Sequence, residues 1–141
     1  MNSAQSAQIH HDISQLGIRY AMAIDGRDFA GLAACFTPDG IWAGPKGERK
    51  GRAEIADYVE MAVGHLTATQ HIATNFRVET DGSSAAMHSS FIATHILHGD
   101  IYQIGGRYED RIMRDGGIWL FARRDIVPLW ASGNPGVMDR P

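Results

Sequence analysis

Helical periodicity in the first half of the chain, and strand alternation with tight turns in the second half, predict an α+β fold. In it, one face of a curved antiparallel sheet is covered by N-terminal helices. The 141 residues are 44% hydrophobic and 21% charged, close to an ordinary globular domain and far from the charge-rich signature of disorder. A chain of this size buries roughly 68–70% of its unfolded surface. With no internal repeat, low-complexity tract or long linker, residues 1–141 read as one domain with a short frayed tail at each end.

Ile9, Ile13, Leu16, Tyr20, Ala23 and Ile24 recur at spacings of three and four, which predicts an amphipathic helix over 9–24. Gly26 breaks it, and Asp28 can cap a short second helix carrying Phe29, Leu32 and Cys35 on one side. Thr37-Pro38-Asp39-Gly40 reads as a turn, followed by a short strand over 41–43 and a Gly-rich basic turn. Helical spacing returns over 52–65 through Ile55, Val59, Ala62 and Val63.

Strand patterning then takes over. Ile72, Thr74, Phe76 and Val78 alternate, and Asp81-Gly82 predicts a hairpin. Strands over 84–98, 102–114 and 118–128, separated by Gly99-Asp100 and Asp115-Gly116-Gly117, complete an antiparallel meander. Such a sheet leaves a pocket where it curls away from the helices.

The formal net charge of -3 provides no broad positive field for a phosphate backbone, so nucleic acid is excluded as a partner class. Lys46, Arg49, Lys50 and Arg52 are interleaved with glycines and read as a solvated turn. Cys35, the single cysteine, reads as a small core residue and fits a reducing cytoplasm. Residues 1–8 lack the pattern of a leader, and no apolar run approaches the ~18 residues of a membrane span.

Tyr20-x4-Asp25, Phe36-Thr37-Pro38-Asp39-Gly40, His71-x3-Asn75 and Trp119-x-Phe121-x-x-Arg124 occur in that order along nearly the whole chain. The pattern resembles the SnoaL-like branch of the nuclear transport factor 2-like superfamily. Within that branch it resembles the group of scytalone dehydratase, bile-acid 7α-dehydratase and hexachlorocyclohexane dehydrochlorinase. The resemblance implies a cone-shaped, cystatin-like α+β barrel with an apolar pocket for a small hydrophobic or hydroxylated cyclic molecule. It implies His71 as proton-abstracting base, Asp25 as its acid partner, and Arg124 and Tyr20 as further catalytic groups. His88 is the nearest match to the second histidine of scytalone dehydratase and, with Asn75, stands as a substrate-binding candidate.

A histidine can take a proton near neutral pH, and a carboxylate on its other ring nitrogen fixes the tautomer and stabilises the imidazolium. Elimination of water beside a carbonyl needs such a base, a donor to the oxygen, and a proton for the departing hydroxyl. His71, Tyr20 and Arg124 supply those types. That chemistry requires no metal or organic cofactor, and the chain carries no HExxH, P-loop or GxGxxG motif.

The functional expectation is a cofactor-independent dehydratase-like lyase. An isomerase or polyketide cyclase using the same dyad, and a pocket used only for binding, are the alternatives. An exposed sheet face and the Trp130-containing tail suggest a homodimer or homotrimer.

Several of these residues have ordinary structural roles open to them. Arg124 can instead pair with Asp110 or Asp25 as a structural ion pair, and Asn75 can simply satisfy strand-end backbone. His95-x-x-His98 points its rings to opposite faces of a strand and is read as structural. Strict alternation places His71 with Asn75, Arg77 and Glu79, opposite Ile72, Phe76 and Val78. Either that face lines the pocket at its start, or a bulge intervenes, or His71 is exposed.

Overall fold

The computed structural model describes residues 1–140. Its helices are α1 (Ser3–Asp25), α2 (Phe29–Ala33) and α3 (Arg52–Val63). Its strands are β1 (Phe36–Gly44), β2 (Gly47–Lys50), β3 (Ala68–Thr80), β4 (Ser84–Leu97), β5 (Asp100–Asp115) and β6 (Ile118–Gly133), and a 3₁₀ turn, Pro135–Met138, follows. The strands form one curled, unclosed sheet in the order β2-β1-β6-β5-β4-β3, with the helices packed on it.

The hairpin meander β3 to β6 is antiparallel throughout. The β1–β6 pair, by contrast, is parallel, because the chain passes through β2, α3 and three more strands before returning beside β1. The turn expected at Thr37–Gly40 lies inside β1, where the register against β6 shifts between Phe36 and Ile41. The basic turn likewise becomes part of a β1–β2 hairpin.

Neither end is the frayed tail expected. Helix α1 begins at Ser3, where Asn2 accepts from the Gln5 backbone N–H and the Gln5 side chain accepts from the Asn2 N–H, each at 2.9 Å. At the other end β6 continues to Gly133, and Val137 is buried.

The predicted face of α1, from Ile9 through Ile13, Leu16 and Tyr20 to Ile24, packs into the core with Phe36, Ile55, Met87, Phe91, Ile112 and Phe121. Complete burial of such a side chain contributes about 1.5–3 kcal/mol. Gly17 permits a close crossing, since a Cβ there would lie 3.0 Å from the Phe76 ring and 3.3 Å from the Met87 methyl.

Two bulges decide which side chains face that core. The β3–β4 register slips between Thr74 and Arg77, and Asn75 there has φ 57°, in the left-handed region that asparagine tolerates. The extra residue puts His71 and Ala73 on the same side as Phe76 and Val78, resolving the alternation conflict in favour of a bulge. In β6, Arg123 faces Arg111 while Phe121 faces Ile112, leaving Ala122 as the extra residue. Phe121 and Arg124 therefore share the inner face, not opposite faces as strict alternation predicts.

On the outer face Ile72, Ile92, Gly105 and Trp130 are cross-strand neighbours in one row. The Trp130 indole covers Gly105, where a Cβ would come within 2.0 Å of the ring. Ile72, Ile92 and Trp130 are exposed.

Candidate active site

Helix α1 stops at Asp25 with Gly26 as its C-cap. Just beyond, Arg27 donates from its guanidinium to the carbonyls of Val63, Gly64 and Leu66, tying the end of α1 to the segment entering β3. This places the Asp25 carboxylate against the first residues of β3. One oxygen accepts from the Thr69 hydroxyl at 3.0 Å and from His71 Nδ1 at 2.8 Å, and the other accepts from the His71 backbone N–H at 2.8 Å. Burial pushes the Asp25 pKa up, but the His71 ring and backbone hydrogen bonds, the His71 charge and Thr69 outweigh it and hold the carboxyl below its usual value. A carboxylate accepting from Nδ1 fixes the hydrogen on that nitrogen, so Nε2 carries the free lone pair.

His71 lines a cavity of about 680 Å³ between the helices and the concave face of the sheet. Asp25 is not on that wall. It sits behind His71 and opens on a separate cleft of about 240 Å³ formed with Ile18, Met22 and Ile72. The dyad thus stands at the edge strand β3, with His71 lining both spaces and Asp25 only the smaller one.

Three more polar groups meet His71 in the cavity. The His95 ring stands edge-on to that of His71, with centroids 5.9 Å apart. His95 Nδ1 donates to the Tyr102 carbonyl at 3.0 Å, which leaves Nε2 unprotonated in the neutral ring. Burial lowers the His95 pKa, the Tyr102 carbonyl opposes that, and the result is a histidine that resists protonation. The Tyr20 hydroxyl accepts from Trp42 Nε1 at 2.9 Å and keeps its own hydrogen for another acceptor. Burial raises the Tyr20 pKa more than Arg124 lowers it, so the group remains a donor. Tyr108, stacked on Phe91 at 4.4 Å, adds a second buried phenol on the cavity wall.

Arg124 stands elsewhere. It is fully buried, and Nε and Nη2 donate to the two Asp110 oxygens at 2.9 and 3.1 Å. Its guanidinium carbon lies 3.7 Å from the Tyr108 ring centre, 4.3 Å from that of Phe121 and 4.4 Å from that of Tyr20. Burial alone would lower its pKa, but Asp110 holds it above the ordinary value, and the pair stays ionic. Arg124 is thus a cation beneath two cavity tyrosines with no exposed atom to meet a ligand.

His88 and Asn75 do not reach the cavity. The β4 side chains that face inward are Met87, Ser89, Phe91, Ala93 and His95, which leaves His88 exposed on the outer face opposite Arg77 and Glu109. Asn75 is exposed at its bulge. The histidine that stands beside His71 on the cavity wall is His95, a residue whose spacing to His98 alone reads as structural. The signal that could have found it is the buried apolar alternation of β4, which His95 completes.

The exposed residues on the cavity lining mark its mouth: Pro45, Lys46, Met61, Pro128, Pro135, Asp139 and Arg140. Lys46 and the half-buried Arg49 arrive there on the β1–β2 hairpin, so the basic turn overhangs the cavity and is not merely solvated. Among the described residues no three His, Cys, Asp or Glu side chains cluster to hold a metal ion, and no helix is long and apolar enough to cross a membrane.

The chain matches the family model described as SnoaL-like domain over residues 5–125. It is 31% identical over 118 residues to the uncharacterized protein Rv2910c of Mycobacterium tuberculosis, covering 80% of each. Its fold is that of a "Putative Scytalone Dehydratase" from Novosphingobium aromaticivorans, with TM-score 0.86 and 20% identity over 94% of this chain and 92% of that one. It is equally that of a hexachlorocyclohexane dehydrochlorinase, LinA-type3, from Novosphingobium barchaimii, with TM-score 0.84 and 19% identity over 99% of each.

Proposed function

Since the chain belongs to the SnoaL-like domain family, we propose that it is a cofactor-independent lyase that removes water from a small hydroxylated cyclic molecule. The observation that carries this reading is the Asp25–His71 pair, with the carboxylate on Nδ1 at 2.8 Å and the ring on the cavity wall. The activities in the names of the two structural neighbours, dehydration and dehydrochlorination, are both eliminations and support the same class.

In the proposed reaction His71 Nε2 takes the proton from the carbon beside a carbonyl. The electron pair of that C–H bond moves to form the enolate, whose oxygen receives a hydrogen bond from the Tyr20 hydroxyl. Collapse of the enolate forms the C=C bond and expels hydroxide, which takes a proton from the His71 imidazolium and leaves as water. His71 returns to its starting state, and Asp25 stabilises the imidazolium between the two steps. Arg124 acts as a positioning residue, its charge lying under Tyr20 and Tyr108.

The test is mass spectrometry of hydroxylated cyclic ketones incubated with the protein and with Asp25→Asn and His71→Ala. Loss of a water mass that falls about 100-fold or more in both variants is expected. A product of unchanged mass makes the enzyme an isomerase instead, and tight binding without chemical change that survives His71→Ala makes it a carrier. We further propose a single domain working in the cytoplasm as a homodimer or homotrimer, which sedimentation at micromolar concentration checks. The exposed row of Ile72, Ile92 and Trp130 supports the assembly, and the lone buried Cys35 is in keeping with the compartment.

A further inference from the structure

We propose that the cavity selects substrates bearing an anionic group, a carboxylate or a phosphate, which Arg49 and Lys46 hold at the mouth while the reacting ring lies against Tyr20, His71 and His95. This rests on the cavity being a substrate site, as proposed above, and extends it to substrate class.

The ionised groups of the cavity lining are unbalanced in sign. Lys46, Arg49 and Arg140 face it, against the single carboxylate of Asp139. Asp25 stands behind His71, and Asp110 is committed to Arg124. Three exposed or half-buried arginines elsewhere on the sheet have carboxylate partners, Arg77 with Glu79, Arg107 with Glu109, and Arg123 with both Glu48 and Asp125, while Arg111 and Arg114 stand outside the cavity lining without one. Lys46, Arg49 and Arg140 have none among the described residues. In a chain of net charge -3, unpaired cations gathered at one apolar opening form a local field that draws anions.

Arg49 is also held in place. Its guanidinium lies 4.1 Å over the Tyr58 ring, and one nitrogen donates to the Glu48 carbonyl at 3.0 Å. Tyr58 packs on Trp42 with ring centres 5.0 Å apart, and Trp42 donates to the Tyr20 hydroxyl at 2.9 Å. One wall of the cavity is therefore a ladder with a fixed cation at the top and a phenol at the floor. The planar fork of an arginine suits the paired oxygens of a carboxylate or phosphate. Pro45, Met61, Pro128 and Pro135 make the rest of the mouth apolar.

The test uses two fluorescent probes of one shape, 1-anilinonaphthalene-8-sulfonate and its uncharged parent N-phenyl-1-naphthylamine. They are titrated into the native protein and into Lys46→Gln/Arg49→Gln. Native protein is expected to bind the sulfonate more tightly, and the double variant to lose about five- to tenfold in sulfonate affinity, as for partly exposed ion pairs. Retained binding of the neutral probe shows that the variant is folded, and Lys46→Arg/Arg49→Lys should restore sulfonate binding. Displacement by 1-naphthoate and by 1-naphthyl phosphate, compared with 1-naphthol, ranks the carboxylate against the phosphate.

Equal sulfonate affinity in native protein and double variant, or no advantage of either anion over 1-naphthol, overturns the proposal. The same titration in His71→Ala separates the two readings. An intact sulfonate preference in a variant whose native parent performs no elimination leaves the anion site standing and sinks only the lyase.

Discussion

Asn75 is the extra residue of β3 that turns His71 onto the same face as Phe76. It sits at φ 57° where the β3–β4 register slips, and regular alternation through Asn75, with no bulge, would carry His71 to the outer face with Arg77 and Glu79. A single backbone irregularity thereby decides whether the dyad meets the cavity.

Replacement of Asn75 tests that relationship. Asn75→Val forces a β-branched residue into the left-handed region and should cost roughly 1–2 kcal/mol in urea unfolding, whereas Asn75→Gly should change stability by about 1 kcal/mol or less. Deletion of Asn75 removes the extra residue and leaves Phe76 opposite Ser89 in unbroken alternation, so His71 should keep its face, its contact with Asp25 and its turnover. A deletion variant that folds but loses activity would show that more than side-chain parity aims His71.

The buried Arg124–Asp110 pair predicts a non-additive pattern. Arg124→Met leaves the Asp110 carboxylate unpaired in the core and should destabilise by about 3–5 kcal/mol. Arg124→Met/Asp110→Leu should recover most of that loss. If Arg124 positions the tyrosines above it, turnover should stay low in the refolded double variant, with kcat affected more than KM.

His95 sets a pH dependence of stability. Its folded pKa lies below the unfolded value of about 6.5. As pH falls through that value the unfolded chain gains a proton that the folded chain refuses, and folding free energy decreases until the folded pKa is passed. His95→Asn should flatten the decline below about pH 6.5, read as the wild-type minus variant difference in urea midpoint. An unchanged slope would mean that His95 protonates equally in both states.

Trp42→Phe keeps the wall apolar but removes the 2.9 Å bond to Tyr20. The stability cost should be about 1 kcal/mol, as for one hydrogen bond, measured by thermal unfolding. In a turnover assay kcat should fall about three- to tenfold as the Tyr20 hydroxyl loses its fixed orientation.

Much of the architecture is written in local pattern. The i, i+3, i+4 spacing of α1, the Asp28 cap, the Asp81-Gly82 hairpin and the order of strands after it all follow from residues within a few positions of one another, because helices and tight turns are stabilised by short-range contacts. The Asn2–Gln5 capping box was equally local, although the apolar pattern starting at Ile9 drew the helix boundary past it.

The site is a different matter. The sequence motifs named Asp25, His71 and Tyr20, but only the tertiary structure decided that the first two touch, that His95 and not His88 is the second histidine, and that Arg124 lies sealed against Asp110. Each of these depends on the Asn75 and Ala122 bulges or on a pairing between strands far apart in the chain. One inserted residue reverses every side chain beyond it, and no periodicity reveals an insertion that long-range hydrogen bonding alone stabilises.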